Sequence, residues 1–193
     1  MKPYKIAKDI RILAAIDALG LGLLLFIAFV IQIGLHELPC PLCTLQRIGI
    51  LGIAFGFLLN IHFKIHPSHY TLSLLAALLT ATISTRQILL HIIPGDPGYG
   101  STLLGLHLYT WVFLVCVAII IYIAIVLSIS RQYSGVPSKT KTLQRLTHFA
   151  FAIIFLLTVS NGISTYLECG FKACPENPVT YKIQLTKLRS THT

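Results

Sequence analysis

The stretch His36-Glu-Leu-Pro-Cys40-Pro-Leu-Cys43-Thr-Leu-Gln-Arg47 decides how this chain is read. It separates two apolar runs, residues 12–35 and 44–63. Each is about as long as the roughly 20 helical residues needed to cross a bilayer core. Two prolines break the stretch, and Pro41 suits the first turn of a helix, where its missing N–H is not needed. The spacing therefore predicts a transmembrane helix that ends before Pro39 and a second that starts at the cysteines.

Working outward, three more apolar segments follow at 70–93, 103–129 and 146–166. Breaker-rich or polar connections separate them: 64–69 with Pro67, 94–101 with Pro97 and three glycines, and 131–145. The chain of 193 residues is 55% hydrophobic and 11% charged, against roughly 25% charged in soluble domains. The expected fold class is an all-α polytopic membrane helical bundle, one domain over residues 1–193 with a tail at 167–193. The N-terminal apolar run is longer than a signal-peptide core and no small-residue cleavage pattern follows it, so it reads as an uncleaved span. The formal charge of +9 comes from basic residues at the ends of apolar blocks. There they orient helices, and nucleic-acid binding is not expected.

Counting those charges predicts the N-terminus inside and the C-terminus outside. Lys2, Lys5, Lys8, Arg11, Lys64, Arg131, Lys139, Lys141 and Arg145 fall on the inner side; Arg47 at a helix end falls on the outer side, and Lys172, Lys182, Lys187 and Arg189 of the tail pull the other way from farther along the chain. This topology sets Cys40, Cys43, Cys169 and Cys174 on one outer, oxidising face.

A Cys-x-x-Cys pair at a helix start holds its sulfurs about one turn apart, within disulfide reach. The unpaired N–H groups and the positive helix end stabilise a thiolate there. Arg47, four residues after Cys43, lies one turn deeper on the same face, where it can stabilise the thiolate and donate to a quinone oxygen. A static disulfide, or half of a zinc site, is the other reading of the pair alone.

The run Cys40-Pro-Leu-Cys43-Thr-Leu-Gln-Arg47 resembles the signature of the disulfide bond formation protein B (DsbB) family. Thr85-Arg86-Gln87 and Gly105-Leu-His-Leu-Tyr-Thr-Trp111 resemble its patterns more loosely. The likeness covers about residues 12–129, four spans of the five, so the expected fold is a four-helix DsbB-like core plus one extra helix. The resemblance implies a bacterial inner-membrane thiol:quinone oxidoreductase that supports disulfide formation. In that scheme Cys43 faces a ubiquinone or menaquinone beside Arg47. Cys40 takes electrons from a second cysteine pair, and that pair takes them from a periplasmic thioredoxin-fold, DsbA-like oxidase.

The chain departs from the family in one respect. Its 94–101 loop has no cysteine, and Cys169 and Cys174 follow the extra fifth helix instead. Taking over the shuttle role from the tail is the expected part of this pair; a disulfide that ties down the tail is the alternative. His91 is a further candidate for contact with a quinone headgroup, against a plain interfacial histidine. Cys116 reads as a buried apolar thiol. Asp17 reads as a residue that reaches water near the inner end, and Arg86 as deeply placed and in need of a partner within the bundle. Trp111 and Tyr109 fit an interfacial aromatic belt. Three other readings remain: a four-cysteine metal-binding membrane protein, a purely structural membrane subunit, and a quinone-linked bundle of the vitamin K epoxide reductase type. In the last of these the loop cysteines precede the Cys-x-x-Cys pair, whereas here no cysteine precedes Cys40.

Overall fold

The computed structural model describes residues 3–134 and 141–171, together with Cys174 and Tyr181. Five helices long and apolar enough to cross a membrane make up the bundle. They are α1 (Pro3–Gly34), α2 (Pro41–His62), α3 (Pro67–Leu90), α4 (Leu108–Leu127) and α5 (Lys141–Cys169). Prolines open α2 and α3 at their first turns, behind the N-caps Cys40 and His66. The His66 ring accepts from the Ser68 N–H. The chain is an all-α polytopic membrane bundle, and large apolar side chains such as Leu79 and Phe155 stand on its outer surface, where lipid takes the place of water.

The fourth helix starts later than expected. Residues 102–107 form a small antiparallel hairpin, β1 (Thr102–Leu103) against β2 (Leu106–His107). Its two turn residues, Leu104 and Gly105, have φ of 54° and 80°. Positive φ at both central positions matches the right-handed twist of paired strands, which is why two-residue hairpin loops take it. The apolar pair Leu103-Leu104 disguises this turn as helix, and Leu104 is in fact 85% exposed.

Helix α2 is the centre of the bundle, packed by α1, α3 and α5, with α4 packed mainly against α3. Close approach of α2 to α3 rests on missing side chains. A Cβ at Gly49 would collide with Thr80, and one at Gly56 with Ser73 and the His69 carbonyl. Small residues at a helix interface allow this approach in membranes, where no hydrophobic force pushes helices together. Ser73 completes the contact by donating to the Ile53 carbonyl at 2.9 Å. Phe57, Ile53, Leu58 and Ile61 of α2 fill the interior with Leu25, Tyr70 and Ile123.

At the end opposite the cysteines, Arg11 of α1 is buried and donates to the carbonyls of Ile61 and Phe63. These belong to the last turn and cap of α2, whose carbonyls lack helical partners and carry the negative end of the helix dipole. On the same end, the Tyr70 hydroxyl donates to Gln132 at 3.2 Å, and Gln132 donates to the Val126 carbonyl at 2.5 Å. These bonds fix the helix ends away from the site.

Candidate functional site

Cys40 ends the connection from α1 in extended conformation (φ −66°, ψ 162°), and α2 begins on the next residue. Its sulfur accepts from the Cys43 N–H at 3.1 Å, as an N-cap side chain does. Cys40 and Cys43 are joined in a disulfide with their Cα atoms 4.9 Å apart. Cys40 is only 6% exposed. Across from them Gln87, near the end of α3 and 1% exposed, donates from its amide to Cys40 Sγ at 3.3 Å and Cys43 Sγ at 3.5 Å. The carbonyl of that amide accepts from Gln46 of α2 at 2.9 Å.

One turn below Cys43, Arg47 bridges α2 to α1. It donates to Gln32 Oε1 at 2.6 Å and to the Ala28 carbonyl at 3.2 Å, and its guanidinium lies 5.1 Å from the centre of the Phe29 ring. The stacking adds cation–π attraction to the hydrogen bonds. Gln32 in turn donates to Ser164 of α5 at 2.8 Å and to the Tyr181 hydroxyl at 3.1 Å. One amide thus links the arginine to the fifth helix and to the tail.

An apolar groove of about 380 Å³ opens between α1 and α4 with α2 as its floor. Leu24, Ala28 and Ile31 form one wall, and Leu108, Val112 and Val115 the other. Cys43, Gln46 and Arg47 lie at its polar end, under a roof that includes Glu37 and Tyr99. The roof is itself hydrogen-bonded. Glu37 accepts from the Ser101 N–H (3.0 Å) and hydroxyl (2.7 Å), and the Tyr99 hydroxyl donates to the Leu38 carbonyl at 2.6 Å. Burial, then the Glu168 and Glu37 carboxylates, push the Tyr99 phenol up to about 12, so it remains a donor at neutral pH. The volume falls within the range of small-molecule sites, which are mostly apolar with a few converging polar groups.

Residues 10–100 match the family model described as disulfide bond formation protein DsbB. Over this stretch the chain is similar to the DsbB family. It is also 38% identical, over 92 residues, to disulfide bond formation protein B of Chromobacterium violaceum, an alignment covering 44% of this chain and 51% of the relative. The chain thus spans about half the length of that curated relative. No solved structure matches the chain. The matched stretch holds Cys40, Cys43, Arg47, Gln32, Gln46 and Gln87. The hairpin turn, α4, α5 and the tail pair lie beyond it.

Beyond the matched stretch, Cys169 ends α5 and is joined to Cys174 in a disulfide, Cα to Cα 4.7 Å. Gly170, at φ 63°, turns the chain out of the helix, and its N–H returns to the Tyr166 carbonyl at 2.8 Å. Both pairs occupy the same end of the bundle, since Gln32 joins Arg47 to Ser164 five residues before Cys169. Of the tail expected at 167–193, residues 167–169 belong to α5, and beyond Gly170 only Phe171, Cys174 and Tyr181 are among the described residues.

His91 is not brought into the groove. It caps α3, bonds Asp96 at 3.1 Å and stacks on Tyr109, 5.9 Å between ring centres. The Gly98 N–H and then the His91 ring hold the Asp96 carboxyl below its usual range. Arg86 differs from its expectation as well. It is exposed on the lipid side of α3 with Thr82 and Thr85, near enough to the helix end for its long stem to carry the charge toward water. The buried residue is its neighbour Gln87. Cys116 is a buried free thiol. Asp17 shares a recess between α1 and α4 with Phe57 and Tyr122. Trp111 lines the groove and donates to the Leu103 carbonyl at 2.9 Å. Among the described residues, no group of three or more His, Cys, Asp or Glu is placed to hold a metal ion.

Sequence reading missed Gln32, Gln87 and Glu168. The last is 1% exposed, and neither carboxylate oxygen has a hydrogen-bond partner among the described residues. Polar side chains so near the ends of apolar helices were the available signal.

Proposed function

We propose that this chain is a thiol:quinone oxidoreductase of the bacterial inner membrane that reoxidises a periplasmic, DsbA-like thioredoxin-fold protein and so supports disulfide formation. The observation that carries the reading is the groove: Cys43 and Arg47 together form the polar end of an apolar, membrane-level cleft. Its donor set fits a quinone, with apolar walls for the ring and chain and a fixed cation for an oxygen. Both ubiquinone and menaquinone fit that chemistry. A bound quinone supplies a two-electron, two-proton acceptor, the stoichiometry of one disulfide.

The residues divide the work. Reduced partner attacks the Cys169–Cys174 disulfide, and a tail thiolate then attacks Cys40 Sγ. That attack forms one S–S bond and breaks another, leaving the electron pair on Cys43. Cys43 lines the groove and Cys40 does not, which supports this order. Cys40 is covered, so the 37–39 segment or the tail must shift to admit the attacking sulfur. Arg47 lines the groove and spends two of its five N–H groups on Gln32 and Ala28, which leaves donors for a ligand oxygen. In this reading the N-terminus is cytoplasmic and both cysteine pairs are periplasmic.

The test is quinone reduction by the purified protein supplied with a reduced thioredoxin-fold oxidase. The parent turns over, and Cys43→Ser and Cys169→Ser both stop it. Turnover retained in Cys169→Ser makes the tail pair structural, with electrons arriving at Cys40 directly. Turnover retained in Cys43→Ser overturns the proposal.

A further inference from the structure

The amide of Gln87 addresses both sulfurs of the Cys40–Cys43 pair, while its carbonyl end is held by Gln46. A disulfide sulfur can only accept, so the NH2 end must face the pair, and Gln46 fixes that orientation. We propose that Gln87 is a catalytic residue that stabilises the thiolate released when the Cys40–Cys43 bond opens, with Gln46 as its positioning residue. The inference rests on the reading of that pair as redox-active, and it adds a stabilising group besides the arginine and the helix end.

The chemistry is differential. When an incoming thiolate bonds to Cys40 Sγ, the old S–S bond breaks and its electron pair stays on Cys43 Sγ. No proton is consumed in this step. Hydrogen bonds to a charged acceptor are about twice as strong as bonds to a neutral one. The Gln87 donor therefore gains strength as charge develops on the sulfur, which is the condition for lowering a barrier as well as holding a ground state. Burial of the amide excludes competing water, and a neutral donor does this without itself taking or losing a proton. Arg47 is held toward Gln32 and Ala28 on the α1 side, whereas Gln87 approaches from α3, so the two act from opposite flanks of α2.

Thiolate stabilisation favours the reduced form, so it makes the pair more oxidising. The test uses the full-length protein carrying Cys116→Ala, Cys169→Ala and Cys174→Ala, which leaves this pair as its only thiols. Two quantities are read: the equilibrium of the pair with glutathione, and, after adding Cys40→Ala, the alkylation rate of Cys43 at neutral pH. Gln87→Leu is expected to shift the equilibrium toward the disulfide about tenfold, or about 30 mV, and to slow alkylation by a similar factor. Gln46→Leu is expected to move both in the same direction by less. Unchanged values in both variants overturn the proposal. If Gln87→Leu does not fold, Gln46→Leu decides alone. Neither readout involves quinone, so a failure of quinone turnover and a failure of this inference are separable.

Discussion

The two cysteine pairs of this molecule share one end of the bundle but are held in different ways. Cys40 and Cys43 start a helix at the centre of the structure, with Gln87 bonded to both sulfurs and Gln46 behind it. Cys169 and Cys174 close a turn at the end of the last helix, and the turn depends on Gly170 at positive φ. A pair that exchanges electrons with a membrane-bound acceptor must be held still beside the groove. A pair that meets a soluble partner and then an internal disulfide must travel. The clasp from a neighbouring helix fits the first task. For the second, the proposed relay requires the turn at Gly170 to open, because Cys169 is buried where it ends α5.

The contrast breaks most visibly at Arg47. Arg47→Met removes the cation and its bonds to Gln32 and Ala28, and quinone reduction is expected to fall by about a hundredfold, the loss of roughly 3 kcal/mol carried by a charged hydrogen-bonding group. Exchange between the tail pair and a soluble thioredoxin-fold partner, followed by trapping the thiols, should stay within about twofold. An equal loss in both assays would contradict separate roles.

A middle-sized effect sharpens the comparison in packing. Gly49→Val forces a branched side chain into Thr80 at the α2–α3 contact beneath the first pair, and should lower stability by about 1–3 kcal/mol in thermal unfolding. Gly170→Ala strains the tail turn at φ 63° by about 1 kcal/mol and should leave the quinone assay with small-molecule thiols unchanged.

The smallest effect concerns the roof. Because burial and nearby carboxylates raise the Tyr99 phenol from 10.0 to about 12, its protonated form is favoured in the folded state. The stability it carries is complete below about 10 and is lost as pH rises toward 12. The pH dependence of unfolding should show this decline in the parent and lose it in Tyr99→Phe. An unaltered decline would place its origin elsewhere.

The architecture and the first pair were legible because they are written in local periodicities. Apolar runs of spanning length mark the helices, and a three-residue interval followed by a four-residue one stacks Cys40, Cys43 and Arg47 along one helix face. Contacts made across the chain left no such pattern. Gln87 meets residues more than forty positions away, and nothing in Thr85-Arg86-Gln87 says which of two adjacent polar residues turns inward. A step of one residue rotates a helix by about 100°, so Arg86 faces lipid when Gln87 faces the sulfurs. The hairpin before α4 was hidden by leucines, although Gly105 marked it. His91 stands outside the groove, stacked on Tyr109, which accords with the plain interfacial reading of that residue.

The most direct test is a single-turnover count. Fully reduced protein, freed of reductant and mixed anaerobically with excess quinone, should form two equivalents of quinol, one per disulfide re-formed. The double variant Cys169→Ser, Cys174→Ser should form one equivalent, and Cys43→Ser none. Quinol formed by Cys43→Ser in parental yield would contradict the account.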